Sequence, residues 1–177
     1  MVRCFIGVFL PEILKPKVLE VQNFIKSLDI DCKFVEPANI HITFSFLGDV
    51  ADEELPSLKD RLDSVCNKLR KTAVTVAGVK LIPSEKFVRV IALDVNDDTG
   101  MLSQISNEIK SSVGGDTKPP HLTLCRVRDA KGKNIASQLL NIDSYCGQFQ
   151  MYSMQLIQSQ LGRSGPVYTI LHESKLD

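Results

Sequence analysis

Two of the three histidines in this chain of 177 residues lie in the same short pattern: histidine, an aliphatic residue, threonine and an apolar residue. The copies are residues 41–44, His-Ile-Thr-Phe, and residues 121–124, His-Leu-Thr-Leu. In a β-strand, residues i and i+2 point to the same face, so each copy directs an imidazole and a hydroxyl to one side and two apolar side chains into a core. If the two strands face each other, these four polar groups line one cleft.

Such a cleft suits acid–base chemistry on a phosphodiester, which needs a base for the attacking oxygen and an acid for the leaving oxygen. An ordinary imidazole pKa of about 6.5 lets one histidine be neutral while its partner is protonated near neutral pH. The hydroxyls of Thr43 and Thr123 can donate to non-bridging phosphoryl oxygens as charge develops there. The scheme needs no metal, and neither histidine lies in a His-Glu-x-x-His pattern or near an acidic cluster, so we expect neither metal nor cofactor.

One such pattern alone is typical of a half-buried strand, but two copies in a chain with three histidines favour a shared catalytic site. The candidate catalytic residues are therefore His41, Thr43, His121 and Thr123. The remaining histidine, His172, lacks the threonine and is expected at the surface.

Hydrophobic periodicity predicts the elements that must position these residues. The predicted strands are residues 2–10, 32–35, 40–47, 72–82, 87–95, 121–127, 145–160 and 166–172, and the predicted helices are residues 12–28, 51–71, 97–113 and 132–140. Gly48 and Asp49 are expected to end the strand that carries His41. Asp52 is the expected N-cap of the second helix, and Asp97 or Asp98 that of the third.

Each half of the chain has a strand, a helix, a connection and then a strand with the histidine motif. The halves are about residues 1–85 and 86–177, and no linker rich in Gly, Ser or Pro separates them, so we expect a single bilobal domain. Mixed strands and helices without a strict βαβ rhythm favour the α+β class. The predicted fold has two pseudo-symmetric lobes of antiparallel sheet, with helices outside and a cleft between them.

The composition limits the partners and the compartment. A formal net charge of zero gives no bulk attraction for long nucleic acid, so any such binding must be local, at a terminus or a short oligonucleotide. The five cysteines are odd in number and form no Cys-x-x-Cys pair, which favours buried, reduced thiols in the cytoplasm. The apolar opening segment is short and is interpreted as a strand rather than a signal peptide, and no run is long enough to span a bilayer. Nothing in the pattern requires a partner chain, so a monomer is expected.

The motifs resemble those of the two-histidine (2H) phosphoesterase superfamily, specifically the RNA 2′,3′-cyclic phosphodiesterases, also called 2′-5′ RNA ligases. The matching segments, which run from one end of the chain to the other, are residues 3–8, 39–48, 120–126 and 165–168. The resemblance implies two α+β lobes around a water-filled cleft and a substrate with a 2′,3′-cyclic phosphate, either an RNA end or a small nucleotide. It also implies hydrolysis to a 2′-phosphomonoester, reversible as 2′-5′ ligation.

By the same resemblance, His41 is the proton donor to the departing ribose 3′-oxygen and His121 is the acceptor of a proton from the attacking water. The residues alone treat the two histidines symmetrically. Thr43 and Thr123 would hold the phosphoryl oxygens.

Three further residues are candidate substrate-binding groups. Arg126 matches a family arginine five residues after His121, but this odd spacing would put it on the opposite face of a regular strand unless the strand bulges or ends there. Tyr168 is expected beside the cleft, with strand packing as its alternative role. Phe5 is one of four aromatics that can stack on a terminal base, although core packing is the alternative for most of them. The four are Phe5, Phe9, Phe44 and Phe46.

Two other functions stay open at this point. The cleft can belong to a module that binds RNA ends or nucleotides without turnover, although pure binding does not need paired acid–base groups. Alternatively, the same site can act on 2′-5′ linked oligonucleotides or on a small cyclic nucleotide. The sequence leaves open the physiological RNA, the base preference, the direction of the reaction in the cell and the oligomeric state.

Overall fold

In the computed structural model, which describes residues 1–163 and 165–177, ten strands join into one antiparallel sheet. The strands are β1 (Val2–Phe9), β2 (Asp31–Phe34), β3 (His41–Val50), β4 (Thr72–Ser84), β5 (Phe87–Asn96), β6 (Asp116–Thr117), β7 (His121–Asp129), β8 (Gly147–Met151), β9 (Ser153–Leu161) and β10 (Pro166–Lys175). The α-helices are α1 (Lys15–Ser27), α2 (Leu55–Cys66), α3 (Met101–Ser112) and α4 (Ile135–Leu139).

The two strands that carry the histidine motifs are neighbours at the centre of the sheet. Eight strands follow the order β10-β9-β1-β3-β7-β5-β4-β8, and Ile42 on β3 pairs with Leu122 on β7. We call the first four strands lobe one and the last four lobe two. The short strands cross over, since β2 pairs with β7 and β6 pairs with β3. The predicted α+β fold, with two lobes of antiparallel sheet, is confirmed.

The repeated order of elements is visible in the fold, but the two lobes are not the two halves of the chain. The series β1, α1, β3 in the first half corresponds to β5, α3, β7 in the second. However, β4 belongs to lobe two, because it forms a hairpin with β5, while β9 and β10 return to pair with β1 and complete lobe one. A boundary near residue 85 therefore does not separate the lobes, and lobe one is built from both ends of the sequence.

Apolar residues at helical spacing hold the helices against the sheet. Helix α1 buries Val18, Val21 and Ile25, and α2 and α3 bury equivalent series at three- and four-residue steps. The apolar members of both motifs are fully buried, so the alternation within each motif strand points as predicted. They are Ile42, Phe44, Leu122 and Leu124. Within the described residues, no helix is both long enough and apolar enough to cross a membrane.

Several element ends differ from the predictions. Strand β3 continues through Gly48, whose φ of +72° suits glycine, and ends at Val50. Asp52 is not the cap of α2; it begins a short 3-10 turn, and α2 starts at Leu55 because the following proline fits the first helical turn. Helix α3 starts at Met101, whose amide donates to the Asp97 carboxylate over 2.6 Å. The predicted strand over residues 145–160 is interrupted at Tyr152.

Candidate active site

The pairing of Ile42 with Leu122 brings the two motifs together. In an antiparallel pair, the residue after one partner faces the residue before the other. Continuing the register by one residue in each direction therefore places His41 opposite Thr123 and Thr43 opposite His121. All four side chains line one cleft of about 600 Å³. The structure thus assembles the four candidate catalytic residues around a pseudo-two-fold axis through the Ile42–Leu122 pair.

Both imidazoles are anchored in the same way. The Nδ1 atom of His41 lies 2.6 Å from the backbone oxygen of Asn39, and Nδ1 of His121 lies 3.0 Å from that of Pro119. A carbonyl oxygen only accepts hydrogen bonds, so Nδ1 must carry a proton in each ring. The Nε2 atom is then left for chemistry, as a lone pair in the neutral ring or as an acid in the charged ring.

The surroundings of the cleft shift the pKa values of two lobe-one residues, His41 and Tyr168. Burial lowers the pKa of His41 from its ordinary value of 6.5, and the positive charges of His121 and Arg126 lower it further, against the opposing effect of the Asn39 carbonyl. Burial raises the pKa of the Tyr168 phenol, and Arg126 opposes this shift. Arg126 therefore lies within electrostatic reach of both lobe-one residues.

A β-bulge explains how Arg126 faces the cleft. In the pairing of β7 with β5, Thr123 faces Ala92 and Cys125 faces Ile91, so Leu124 is the extra residue. The two residues after Thr123 are both buried, and Arg126 emerges exposed on the same side as His121. The bulge therefore offsets the odd spacing and returns Arg126 to the face of His121. A bulge was one of the two possibilities that the sequence left open.

Strand β3 has the same irregularity in the same place. Thr43 pairs with Gly7 and Ser45 with Ile6, so the intervening residue is the bulge. Phe46 consequently occupies in lobe one the position that Arg126 occupies in lobe two, and 47% of its surface is exposed. The two motifs are thus symmetric through their fifth residue and differ at their sixth, with an aromatic ring on one side of the cleft and a guanidinium on the other.

The residues around each histidine continue this asymmetry. The ring centroid of His41 lies 4.8 Å from that of Phe5, 5.1 Å from that of Tyr168 and 6.1 Å from that of Phe9. The cleft wall of lobe two instead contributes Lys80, which forms an ion pair of 2.7 Å with Asp94. Lys33 and Lys118 also line the cleft. Aromatic rings thus surround His41 on one side of the site, whereas the other side carries Arg126 and several lysines, with Phe34 and Glu36 also in the lining.

The candidate substrate-binding residues have different surroundings. Tyr168 lies beside the cleft as expected, with its ring edge toward His41. Phe5 differs from the expectation, because it is 4% exposed and packs against His41, Phe46 and Tyr168. A ring enclosed in this way supports the imidazole and has no free face for a base. Phe46 is the motif aromatic that does.

The positioning contacts of Gln22 and Asn39 could not be predicted from the sequence. Gln22 on α1 is 1% exposed, and its amide donates to the backbone oxygens of Val35 at 3.0 Å and of Leu124, the bulged residue of β7, at 2.9 Å. The side chain of Asn39 donates to the Pro166 oxygen over 2.8 Å and so ties the segment before Tyr168 to the base of the His41 motif. A glutamine in a helical segment gives no indication of which distant backbone oxygen it will bond.

The assembled groups can transfer protons and hold an anion. Two imidazoles can act as an acid and a base, two hydroxyls can donate to phosphoryl oxygens, and Arg126 can neutralise charge. Across residues 1–163 and 165–177, no cluster of three histidine, cysteine, aspartate or glutamate side chains is arranged to hold a metal ion.

The chain is similar to a known family and to several named proteins. The family model described as LigT like Phosphoesterase matches residues 8–92. A protein of Methanothermobacter thermautotrophicus named RNA 2′,3′-cyclic phosphodiesterase is 29% identical, and the match covers 99% of this chain and 99% of that protein. A protein of the same name from Aquifex aeolicus is 28% identical over 98% of this chain and 96% of its own length.

Solved structures share the fold. A crystal structure of a Thermus thermophilus protein superposes with a TM-score of 0.82 at 24% identity, covering 98% of this chain and 97% of that one. E. coli LigT complexed with phosphate gives a TM-score of 0.77 at 21% identity, covering 99% and 97%. LigT has also been solved with 3′-AMP.

Proposed function

We propose that the chain is a LigT-like phosphoesterase that hydrolyses terminal 2′,3′-cyclic phosphates of RNA to 2′-phosphomonoesters. Relatives that match it over nearly their whole length carry the name RNA 2′,3′-cyclic phosphodiesterase. The observation that carries the proposal is the pair of imidazoles, each with Nδ1 held by a backbone carbonyl, in one cleft with two threonine hydroxyls.

In this mechanism His121 accepts a proton from the attacking water, and His41 donates a proton to the departing ribose 3′-oxygen. The asymmetry at the sixth motif position supports this direction. In an in-line displacement, the attacking and leaving oxygens lie on opposite sides of the phosphorus. The leaving oxygen belongs to the nucleoside, whose base stacks on aromatic rings. The exposed ring of Phe46 lies on the lobe of His41, so this histidine is the one beside the leaving group.

The other groups hold the phosphoryl oxygens. Thr43 and Thr123 donate hydrogen bonds to the non-bridging oxygens, and Arg126 supplies a fixed positive charge where negative charge develops. Tyr168 remains protonated at neutral pH, since burial raises its pKa, and can donate to the same anion. Phe5 packs behind His41 and keeps the imidazole in place.

The pKa of His41 is lowered in the free protein, whereas the ring must carry a proton to act as an acid. In the free protein, partial burial and the charges of His121 and Arg126 favour the neutral form of this ring. A cyclic phosphate anion that binds between the histidines favours the charged form and raises the pKa. Substrate binding therefore favours the protonated form of His41 that cleavage requires. Because kcat/KM refers to the free protein, it falls as pH rises above the pKa of His41 in that state.

Further parts of the proposal concern direction, assembly and compartment. The same two histidines, with their roles exchanged, would run the reverse reaction, 2′-5′ ligation. We propose that the protein works without metal or other cofactor, as a monomer in the cytoplasm. The five free thiols are compatible with a reducing compartment.

The test is a short RNA with a 2′,3′-cyclic phosphate end, incubated with the purified protein and EDTA, with the product position mapped. A 2′-phosphate is the expected product. A 3′-phosphate would keep the site but contradict the assignment of the leaving oxygen. Tight binding without product from a folded protein would contradict the hydrolase in favour of a binding module. Cleavage of 2′-5′ linked oligomers in preference to the cyclic end would contradict the substrate.

A further inference from the structure

A second chamber adjoins the catalytic cleft on lobe one, and Phe46 lines both. This chamber of about 640 Å³ shares the lining residues His41, Phe46 and Tyr168 with the catalytic cleft, and it extends along the start of β1. We infer that it binds the nucleotide that precedes the cyclic end, with Arg3 on the phosphate between the two nucleotides. This inference rests on the proposed function and specifies its substrate as an oligonucleotide.

The direction of the RNA follows from the position of the leaving group. With the water on the side of His121 and the ribose on the side of His41, the rest of the RNA must extend over lobe one. The second chamber opens on that lobe, next to His41. The RNA chain and the chamber therefore lie on the same side of the phosphorus.

Arg3 is placed to meet the next phosphate. It lies two residues before Phe5 on β1, so the two side chains share one face of the strand, about 7 Å apart along it. Phe5 contacts His41, whereas Arg3 is exposed and lines the far part of the chamber. A guanidinium is the side chain best suited to a phosphate because it can donate two parallel hydrogen bonds.

The other groups of the chamber fit a nucleotide without filling the site themselves. Among the described residues, Arg3 takes part in no ion pair, although Asp49 faces it in the register of β3. Gln158 and Gln160 of β9 also line the chamber, and their amides can both donate to and accept from a base. The Asp49 carboxylate opposes the phosphate, so Arg3 must supply the attraction.

The experiment compares two substrates: a nucleoside 2′,3′-cyclic phosphate and a dinucleotide with the same cyclic end. A charge-assisted hydrogen bond corresponds to roughly a ten-fold effect or more, so kcat/KM of the wild type should favour the dinucleotide by about that factor. Arg3→Gln should remove this preference and leave kcat/KM for the mononucleotide unchanged. Its salt dependence on the dinucleotide should also become shallower, by a slope of about 0.7 for one phosphate contact.

A chemical probe tests the same contact in the unaltered protein. A dinucleotide whose linking phosphate is replaced by a neutral methylphosphonate should lose the preference with the wild type and lose nothing more with Arg3→Gln. Arg61→Gln, an exposed arginine on α2, is the matched control and should retain the preference. Asp49→Asn should strengthen it.

The outcomes separate this inference from the proposed function. Equal kcat/KM for the two substrates with the wild type, or an equal loss on both with Arg3→Gln, overturns the second chamber and leaves the hydrolysis standing. An additive effect of the methylphosphonate in Arg3→Gln overturns the role of Arg3. If the folded wild type turns over neither substrate, the proposed function fails and the inference fails with it.

Discussion

Gln22 on α1 donates a buried hydrogen bond of 2.9 Å to the backbone oxygen of Leu124 on β7. Leu124 is the bulged residue, and the same oxygen also accepts the Val35 amide at 2.9 Å. The bulge is therefore held from outside the strand by two donors. Because it sets the direction of Arg126, a side chain on an outer helix fixes where the charge of the cleft lies.

Replacing Gln22 by leucine keeps the volume but removes the donor. We expect the free energy of unfolding to fall by about 1–3 kcal/mol, since one buried and one partly buried carbonyl each lose a hydrogen-bond donor. We also expect a lower kcat/KM because Arg126 is no longer held in position. The exposed Gln104→Leu on α3 is the control for both measurements.

A double-mutant cycle separates positioning from simple destabilisation. In an Arg126→Gln background, Gln22→Leu should still lower stability but should cost no further activity. An undiminished loss of activity in that background would count against the link between the two residues.

Removal of either cleft histidine should stop turnover without unfolding the protein. His41→Ala and His121→Ala are each expected to lower kcat by about 10²- to 10⁴-fold, the usual contribution of a positioned acid or base. Initial rates on cyclic-ended RNA and circular dichroism give the two readouts. His172→Ala is the control, because this ring bonds Asp63 on the far side of β10. Near-normal rates from either cleft variant would refute the mechanism.

The pH dependence of kcat/KM should reveal the environment of His41. As an acid, His41 must be protonated, and its pKa in the free protein lies below 6.5, so activity should fall as pH rises through a value below 6.5. Arg126 is one cause of the lowered pKa. Arg126→Gln should therefore reduce the rate overall but move this alkaline limb to higher pH. A limb that stays in place or moves to lower pH would contradict the assignment.

Phe46 should act on binding more than on chemistry. Stacking of one base on an aromatic ring contributes about 1–3 kcal/mol, so Phe46→Ala should raise KM roughly ten-fold or more with little change in kcat. Phe46→Trp should restore binding. Phe24→Ala, a comparably exposed ring on the outer face of α1, provides the control. If kcat falls and KM stays constant, Phe46 serves the motif strand rather than the base.

Two adjacent glycines give a matched test of the packing behind β3. Gly114 and Gly115 have φ values of +92° and +89°, so alanine is strained equally at both. A Cβ atom at Gly114 would meet nothing within 4 Å, whereas one at Gly115 would lie 2.6 Å from the Phe46 oxygen. Thermal melting should show that Gly115→Ala is the more destabilising change by about 1–3 kcal/mol. Equal melting temperatures would mean that the β3 backbone near Phe46 moves to accommodate the added methyl group.

The elements around the histidines could be predicted because their patterns are local. Alternation in residues 41–44 and 121–124 set the inward and outward faces, and these faces are as expected. A bulge before Arg126 was only one possibility in the sequence, because the contact from Gln22 that supports it comes from a distant residue. The lobe to which β4 belongs could not be predicted either, because the residue pattern of an apolar strand does not indicate which strands it pairs with. The burial of the Phe5 ring could not be predicted either, because strand alternation does not distinguish a covered ring from an open one.

Lobe one is assembled from the two ends of the sequence, and this has a consequence for synthesis. Chains emerge from the ribosome N-terminus first, so β1 and β3 appear long before β9, with all of lobe two in between. Until β9 has been synthesised, the backbone groups along one edge of β1 are unpaired and can bond to strands of other chains. The nascent chain is thus expected to lack catalytic activity, and to bind chaperones, until β9 and β10 complete the sheet beside β1.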